Sequence, residues 1–302
     1  MITRREMLRN TLALGGTALL APHLFDPHLL AAVAVPENRK FAEQLGWKIG
    51  PQIYSFRHFP FDEALKLVAA CGVTSFEQYA GQRISKDIAV NIGPHLLQPE
   101  HKDTLKKVKD LLAESGCTIH AFGVGKGEKA EFDFAAEMNI PLITPEPGFD
   151  KIAEVSKLAE EYKINVGLHN HPKPSAYWDP EVVLAQLKNA SPRVGACCDT
   201  GHWLRSGLNP LECVKKLKGR IVGFHIKDLK KDGDKFDADC VLGQGDVGIV
   251  EILKEVASQN IRGPLPFSIE FEADWANNQP KVLECVKFFD ATVKQIVEAR
   301  RT

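Results

Sequence analysis

Past residue 46 the chain alternates between two rhythms. Short apolar or β-branched runs stand at 48–54, 74–79, 118–123, 141–145, 164–169, 194–198, 221–226 and 266–272. Runs of this length, bounded by turn residues, predict strands. Between them lie longer stretches near 61–71, 101–115, 131–138, 150–162, 180–189, 209–218, 247–259 and 280–300. Their apolar positions recur every three or four residues, which predicts amphipathic helices. The punctuation agrees. Asp179 precedes Pro180 as an N-cap before a first-turn proline. Gly72 and Gly116 follow apolar helical runs, where a C-terminal glycine is expected. Eight strands alternating with eight helices predict parallel βα units, hence an α/β fold of the (β/α)8 TIM barrel type over 47–302. A doubly wound open sheet would carry a glycine-rich phosphate loop after its first strand. Here that strand runs into YSFRHFPF, and Gly123-Val124-Gly125-Lys126-Gly127 lacks the Walker pattern and reads as a loop.

The first 34 residues follow another pattern. A basic start with Arg4-Arg5 leads into small and aliphatic residues, and Ala32-Val33-Ala34 offers a cleavage site, with Ala21 an earlier candidate. This is the layout of a signal peptide of the twin-arginine type. It predicts export by the twin-arginine machinery of a bacterium and a periplasmic or otherwise exported protein. Residues 35–46 read as a polar, poorly periodic linker.

Composition narrows the function classes. The 302 residues are 44% hydrophobic and 25% charged, with a net charge of −1, so no basic field is present to hold a nucleic-acid backbone. No segment approaches the roughly 18 uninterrupted apolar residues of a spanning helix, so no stable membrane insertion is expected once the signal is removed. Seven cysteines without a CxxC pair read as buried thiols.

The candidate chemistry lies at the strand ends. Glu146 in LITPEPG, Asp199 in VGACCDTGHW, His225 in IVGFHIKD and Glu270 in PFSIEFE each close a separate predicted strand. In a parallel barrel all C-terminal strand ends open on one face. Three carboxylates and an imidazole converging there make a site for a divalent cation, which can polarise a sugar carbonyl. His169 and His171 end the fifth strand on one face and Glu77 ends the second. Lys227 shares a face with His225, while Tyr54, Trp178 and Trp203 lie just beyond strand ends. His169, His171, Lys227, Tyr54, Glu77 and Trp203 are therefore candidates to read substrate hydroxyls or cover a sugar ring.

These motifs, namely TPEPG, Leu168-His169-Asn170-His171, Asp199-Thr200-Gly201-His202, His225-Ile226-Lys227-Asp228 and Ser268-Ile269-Glu270, resemble those of the xylose-isomerase-like TIM barrels. That family includes ketose 3-epimerases, hydroxypyruvate isomerase, inosose dehydratase and endonuclease IV. The resemblance covers roughly 47–300. It implies one divalent ion, Mn²⁺ first with Mg²⁺, Co²⁺ and Zn²⁺ as alternatives, held by Glu146, Asp199, His225 and Glu270. It also implies catalytic roles for Glu146 and Glu270 on opposite faces of the reacting carbon, with His202 contacting a substrate oxygen. The activity so implied is a sugar isomerase or epimerase that acts on a keto-sugar or polyol through a metal-stabilised enediolate. A lyase or dehydratase acting on an inosose or a 3-oxo-glycoside shares the proton abstraction and is the alternative. A non-catalytic carbohydrate-binding barrel is the alternative outside enzymology. The endonuclease-like branch needs more histidines and a basic surface, which the charge balance opposes.

Overall fold

The computed structural model describes residues 37–232 and 235–301. The expected signal segment lies outside these residues. In chain order the elements are α1 (Arg39–Gln44), β1 (Trp47–Pro51), α2 (Phe61–Ala70), β2 (Ser75–Gln78), α3 (Lys102–Ser115), β3 (Thr118–Gly125), α4 (Lys129–Glu137), β4 (Leu142–Pro145), α5 (Ile152–Tyr162) and β5 (Asn165–His169). They continue with α6 (Pro180–Leu187), β6 (Val194–Asp199), α7 (Thr200–Arg205), α8 (Pro210–Lys216), β7 (Ile221–Ile226), β8 (Asp228–Asp232), β9 (Lys235–Cys240), α9 (Ile249–Gln259), β10 (Leu265–Ile269) and α10 (Gln279–Ala299). Short 3₁₀ turns follow β1 at Ile53–Phe56 and β4 at Phe149–Lys151, and two more precede α3.

Eight of the strands form one parallel sheet in the order β1-β10-β7-β6-β5-β4-β3-β2. A parallel bridge between Gln52 and Glu77 brings its two edges together. The product is a nearly closed TIM barrel, and each expected strand and helix is present within a few residues of its expected bounds. The strands are short because their backbones cross a barrel wall buried on both faces, so their apolar runs are continuous. The layer between wall and helices holds Trp47, Phe224, Phe267 and Phe289. The Phe224 ring stacks on Phe267 at 4.8 Å, and Phe267 meets Phe289 of α10 at 5.1 Å. All seven cysteines are free thiols, six of them buried. No described helix is long and apolar enough to cross a membrane.

Three features depart from the expected pattern. The expected linker contains a helix, α1. Its Arg39 is buried and donates to both oxygens of Asp290 on α10 at 2.7 Å, so a polar residue there serves packing rather than solvation. After β7 the chain inserts an antiparallel hairpin, β8–β9. After β6 a short extra helix, α7, begins on Asp199, whose Oδ1 accepts from the His202 backbone N–H at 2.7 Å as an N-cap.

Candidate active site

The strand-end motifs lock onto each other before they offer any chemistry. The Asn170 side chain donates to the Asp199 carbonyl at 3.0 Å and accepts from the Asp199 N–H at 2.8 Å. That amide joins the ends of β5 and β6. Thr200 does the same between β6 and β7, donating to the Lys227 carbonyl and accepting from the Lys227 N–H at 2.8 and 3.0 Å. Between them, Gly201 has to be small. A Cβ there would meet Lys227 Cγ and Cδ at 2.9 Å, so the glycine lets the lysine stem pass.

The functional atoms are thus brought together. Side-chain ligand atoms of His169, Asp199, His225 and Glu270 all lie within 4.8 Å of one another. Three of the four expected ligands are in this set together with His169, and Glu146 groups instead with His169 and His171. The reason is hydrogen bonding. Glu146 Oε1 accepts from His169 Nδ1 at 3.0 Å, from the His171 N–H at 2.9 Å and from His171 Nδ1 at 2.6 Å, while Ser175 donates to Oε2 at 2.9 Å. The carboxylate is committed to holding two imidazoles. With Nδ1 turned to Glu146, the His169 ring faces Nε2 inward.

The set fits a divalent cation. His169 Nε2 and Asp199 Oδ2 are buried with no hydrogen-bond partner and face each other at 3.8 Å. Two such orphaned acceptors in a protein interior are costly unless something positive lies between them. His225 Nε2 lies 2.9 Å from Glu77 Oε2, and its Nδ1 lies 3.2 Å from Glu270 Oε2 on the side of the set. A set of two imidazoles and two carboxylates suits Mn²⁺, Co²⁺ or Zn²⁺.

Electrostatics keep the acids ionised. Burial alone would raise the Asp199 pKa, but His202, Lys227 and His169 outweigh it and hold the carboxyl well below its ordinary range. Burial is likewise overcome at Glu270 by Lys227 and His225, and at Glu146 by the hydrogen bonds from His169 and His171. His171 is raised above its ordinary value, first by its bond to Glu146. His202 goes the other way, pushed down to about 3 by burial, so it is a neutral ring at the site wall, with Nε2 3.5 Å from Asp199 Oδ2.

Several candidate residues take other places than expected. Lys227 is 1% exposed, and its ammonium sits 2.5 Å from Glu272, 3.4 Å from Glu270 and 3.9 Å from Asp199. It is a buried counter-charge to these three carboxylates. Glu77 is also 1% exposed and lies beneath His225. Trp203 is buried among core side chains, because α7 turns it inward, so it offers no ring to a sugar. Tyr54 does lie at the rim. Its ring meets Tyr79 at 5.0 Å and Trp275 at 5.8 Å, and the Arg57 guanidinium lies 3.8 Å over Trp275. Tyr79, Trp275, Ser175 and Asn170 were not legible as site residues, since no motif marks a rim aromatic or a clamp. For Asn170 its place within HNH was the available signal.

Residues 65–292 match the family described as xylose isomerase-like TIM barrel. The chain belongs to that family. An inosose dehydratase of Bacillus cereus is 26% identical over 174 residues, covering 50% of this chain and 58% of the relative. The chain thus matches little more than half the length of that relative. A solved, uncharacterized protein of Parabacteroides distasonis is 26% identical with a TM-score of 0.62, over 81% of this chain and 98% of that one. A D-tagatose 3-epimerase-like protein shares the fold at 18% identity and a TM-score of 0.63, over 84% of this chain and 100% of that one.

Proposed function

We propose that this barrel is a divalent-metal-dependent sugar isomerase or epimerase acting beside the carbonyl of a keto-sugar or keto-polyol. One observation carries the reading. Two proton-handling carboxylates flank the site from opposite sides of the ring: Glu270, a member of the cation set, follows β10, and Glu146, bonded to His169 of that set, follows β4. Three strands separate β10 from β4 in either direction around the sheet. A divalent ion held by His169, Asp199, His225 and Glu270 would polarise the carbonyl and acidify the neighbouring C–H. Glu270 is an ionised carboxylate that can take that proton. Across the mouth, His171 keeps its Nδ1 on Glu146 and has Nε2 left to give or take one, the division of labour expected of a general acid–base pair. The neutral His202 contacts a substrate oxygen, and Lys227 holds Glu270 and Asp199 in place.

Dehydration or lyase chemistry on an inosose or a 3-oxo-glycoside is the second reading. It is favoured by the inosose dehydratase relative and uses the same groups, with His171 protonating a departing oxygen instead of carbon. We further propose export by the twin-arginine route on the strength of Arg4 and Arg5; unchanged export after both are replaced by Lys would refute it.

The test is solvent exchange. Protein loaded with Mn²⁺ is incubated in deuterated water with keto-sugars, inososes and 3-oxo-glycosides. Product carrying one deuterium next to the carbonyl supports epimerisation or isomerisation, and product that has also lost water or an alcohol supports the second reading. Chelated protein that is as active as loaded protein would sink both.

A further inference from the structure

The inside of a TIM barrel is normally filled with layers of branched apolar side chains. Here one interior layer is polar and continuous. Ser75 Oγ lies 2.8 Å from His120 Nδ1, and His120 Nε2 lies 3.0 Å from Ser268 Oγ. Ser268 Oγ lies 2.6 Å from Glu77 Oε2, and that oxygen also takes His225 Nε2 at 2.9 Å. Thr144 donates to the other Glu77 oxygen at 2.6 Å. These residues come from β2, β3, β10, β7 and β4. All but Ser75 are buried, with 0–2% exposure.

The chain has one direction. A carboxylate only accepts, so the single hydroxyl proton of Ser268 goes to Glu77. Ser268 then has only lone pairs to offer His120, so His120 carries its proton on Nε2. Burial pushes the His120 pKa down to about 4, which leaves Nδ1 of the neutral ring as an acceptor for Ser75. Every donor points toward Glu77, and Glu77 in turn holds Nε2–H of His225, which reserves His225 Nδ1 for the cation set.

We infer that Glu77, Ser268 and His120 are positioning residues that fix the orientation and free nitrogen of His225 from inside the barrel. The inference rests on the cation site proposed above. Partners of this kind behind a ligating imidazole typically change metal affinity by about 10–100-fold when removed.

Two measurements on the full-length chain test this. Long-range ¹H–¹⁵N spectra of histidine-labelled, metal-free protein should show His120 as the neutral Nε2–H tautomer between about pH 6 and 8. An Nδ1–H tautomer or an imidazolium reverses the chain and overturns the inference. Titration with Mn²⁺, following free ion by electron paramagnetic resonance, gives the second readout. Glu77→Gln and Ser268→Ala should each weaken binding by about 10-fold or more, and Ser268→Thr, which keeps the hydroxyl, should restore it. Circular dichroism confirms that the variants are folded before titration. If wild-type protein binds Mn²⁺ and Ser268→Ala binds it equally well, the positioning role is wrong although the cation site stands. If wild-type protein binds no divalent ion, the cation site itself is wrong, and the positioning role goes with it.

Discussion

At the scale of residues, the structure groups His169 with Asp199, His225 and Glu270 and sets Glu146 beside His169 and His171. Glu146 spends its oxygens on His169, His171 and Ser175, whereas His169 and Asp199 present orphaned atoms. His169→Ala and Asp199→Ala should therefore each abolish stoichiometric Mn²⁺, while Glu146→Gln should retain it with reduced affinity. Metal analysis of the purified variants checks this, and loss of the ion in Glu146→Gln with retention in His169→Ala would restore the sequence-derived assignment. The Glu146–His171 pair also has a pH signature. His171 is raised above about 6.5, so its contribution is full below that value and is lost as pH rises through the folded pKa. Glu146 is lowered, so its contribution is present above about 4.5 and is lost as pH falls. The pair therefore stabilises most between those limits. In metal-free protein, the stability gap between wild type and His171→Ala, read by urea unfolding, should be wider at pH 6 than at pH 9. A gap independent of pH would show the pair to be uncoupled.

At the scale of elements, the eight βα units were legible because each strand is an apolar run and each helix a three-to-four spacing. The β8–β9 hairpin was not, because its sequence is rich in charged residues and its apolar alternation is short. A signal existed in Asp232-Gly233-Asp234 between alternating residues. The hairpin matters to the site. Asp239 on β9 accepts from Arg205 at 2.8 Å and from the Glu272 N–H at 2.6 Å, which ties the insertion to the carboxylate that holds Lys227. At its base, the buried Asp228 accepts from the backbone N–H groups of Leu229, Gly243, Gly245 and Val247. Four backbone donors depend on one side chain. Asp228→Ala should cost about 3 kcal/mol or more in urea unfolding. A loss below about 0.5 kcal/mol would mean that the loop finds other acceptors.

At the scale of the molecule, the barrel is fastened across its ends by a contact 251 residues apart in sequence. Arg39 of α1 and Asp290 of α10 form a two-pronged buried ion pair. Breaking such a pair on one side strands a charge, so Asp290→Ala should destabilise by about 3–5 kcal/mol. Replacing both residues by apolar ones should recover much of that loss, and an unchanged melting temperature in the single variant would refute the role. The chain by itself determined the barrel, since hydrophobic periodicity is a local property that each βα unit expresses alone. It also determined that Asp199, His225 and Glu270 meet, because parallel strand ends share one face whatever fills the interior. Tertiary structure alone decided the rest. Which groups Glu146 and His169 bond, and how deeply Lys227, Glu77 and Trp203 are buried, all depend on hydrogen bonds and packing between strands distant in sequence. No local pattern records those contacts.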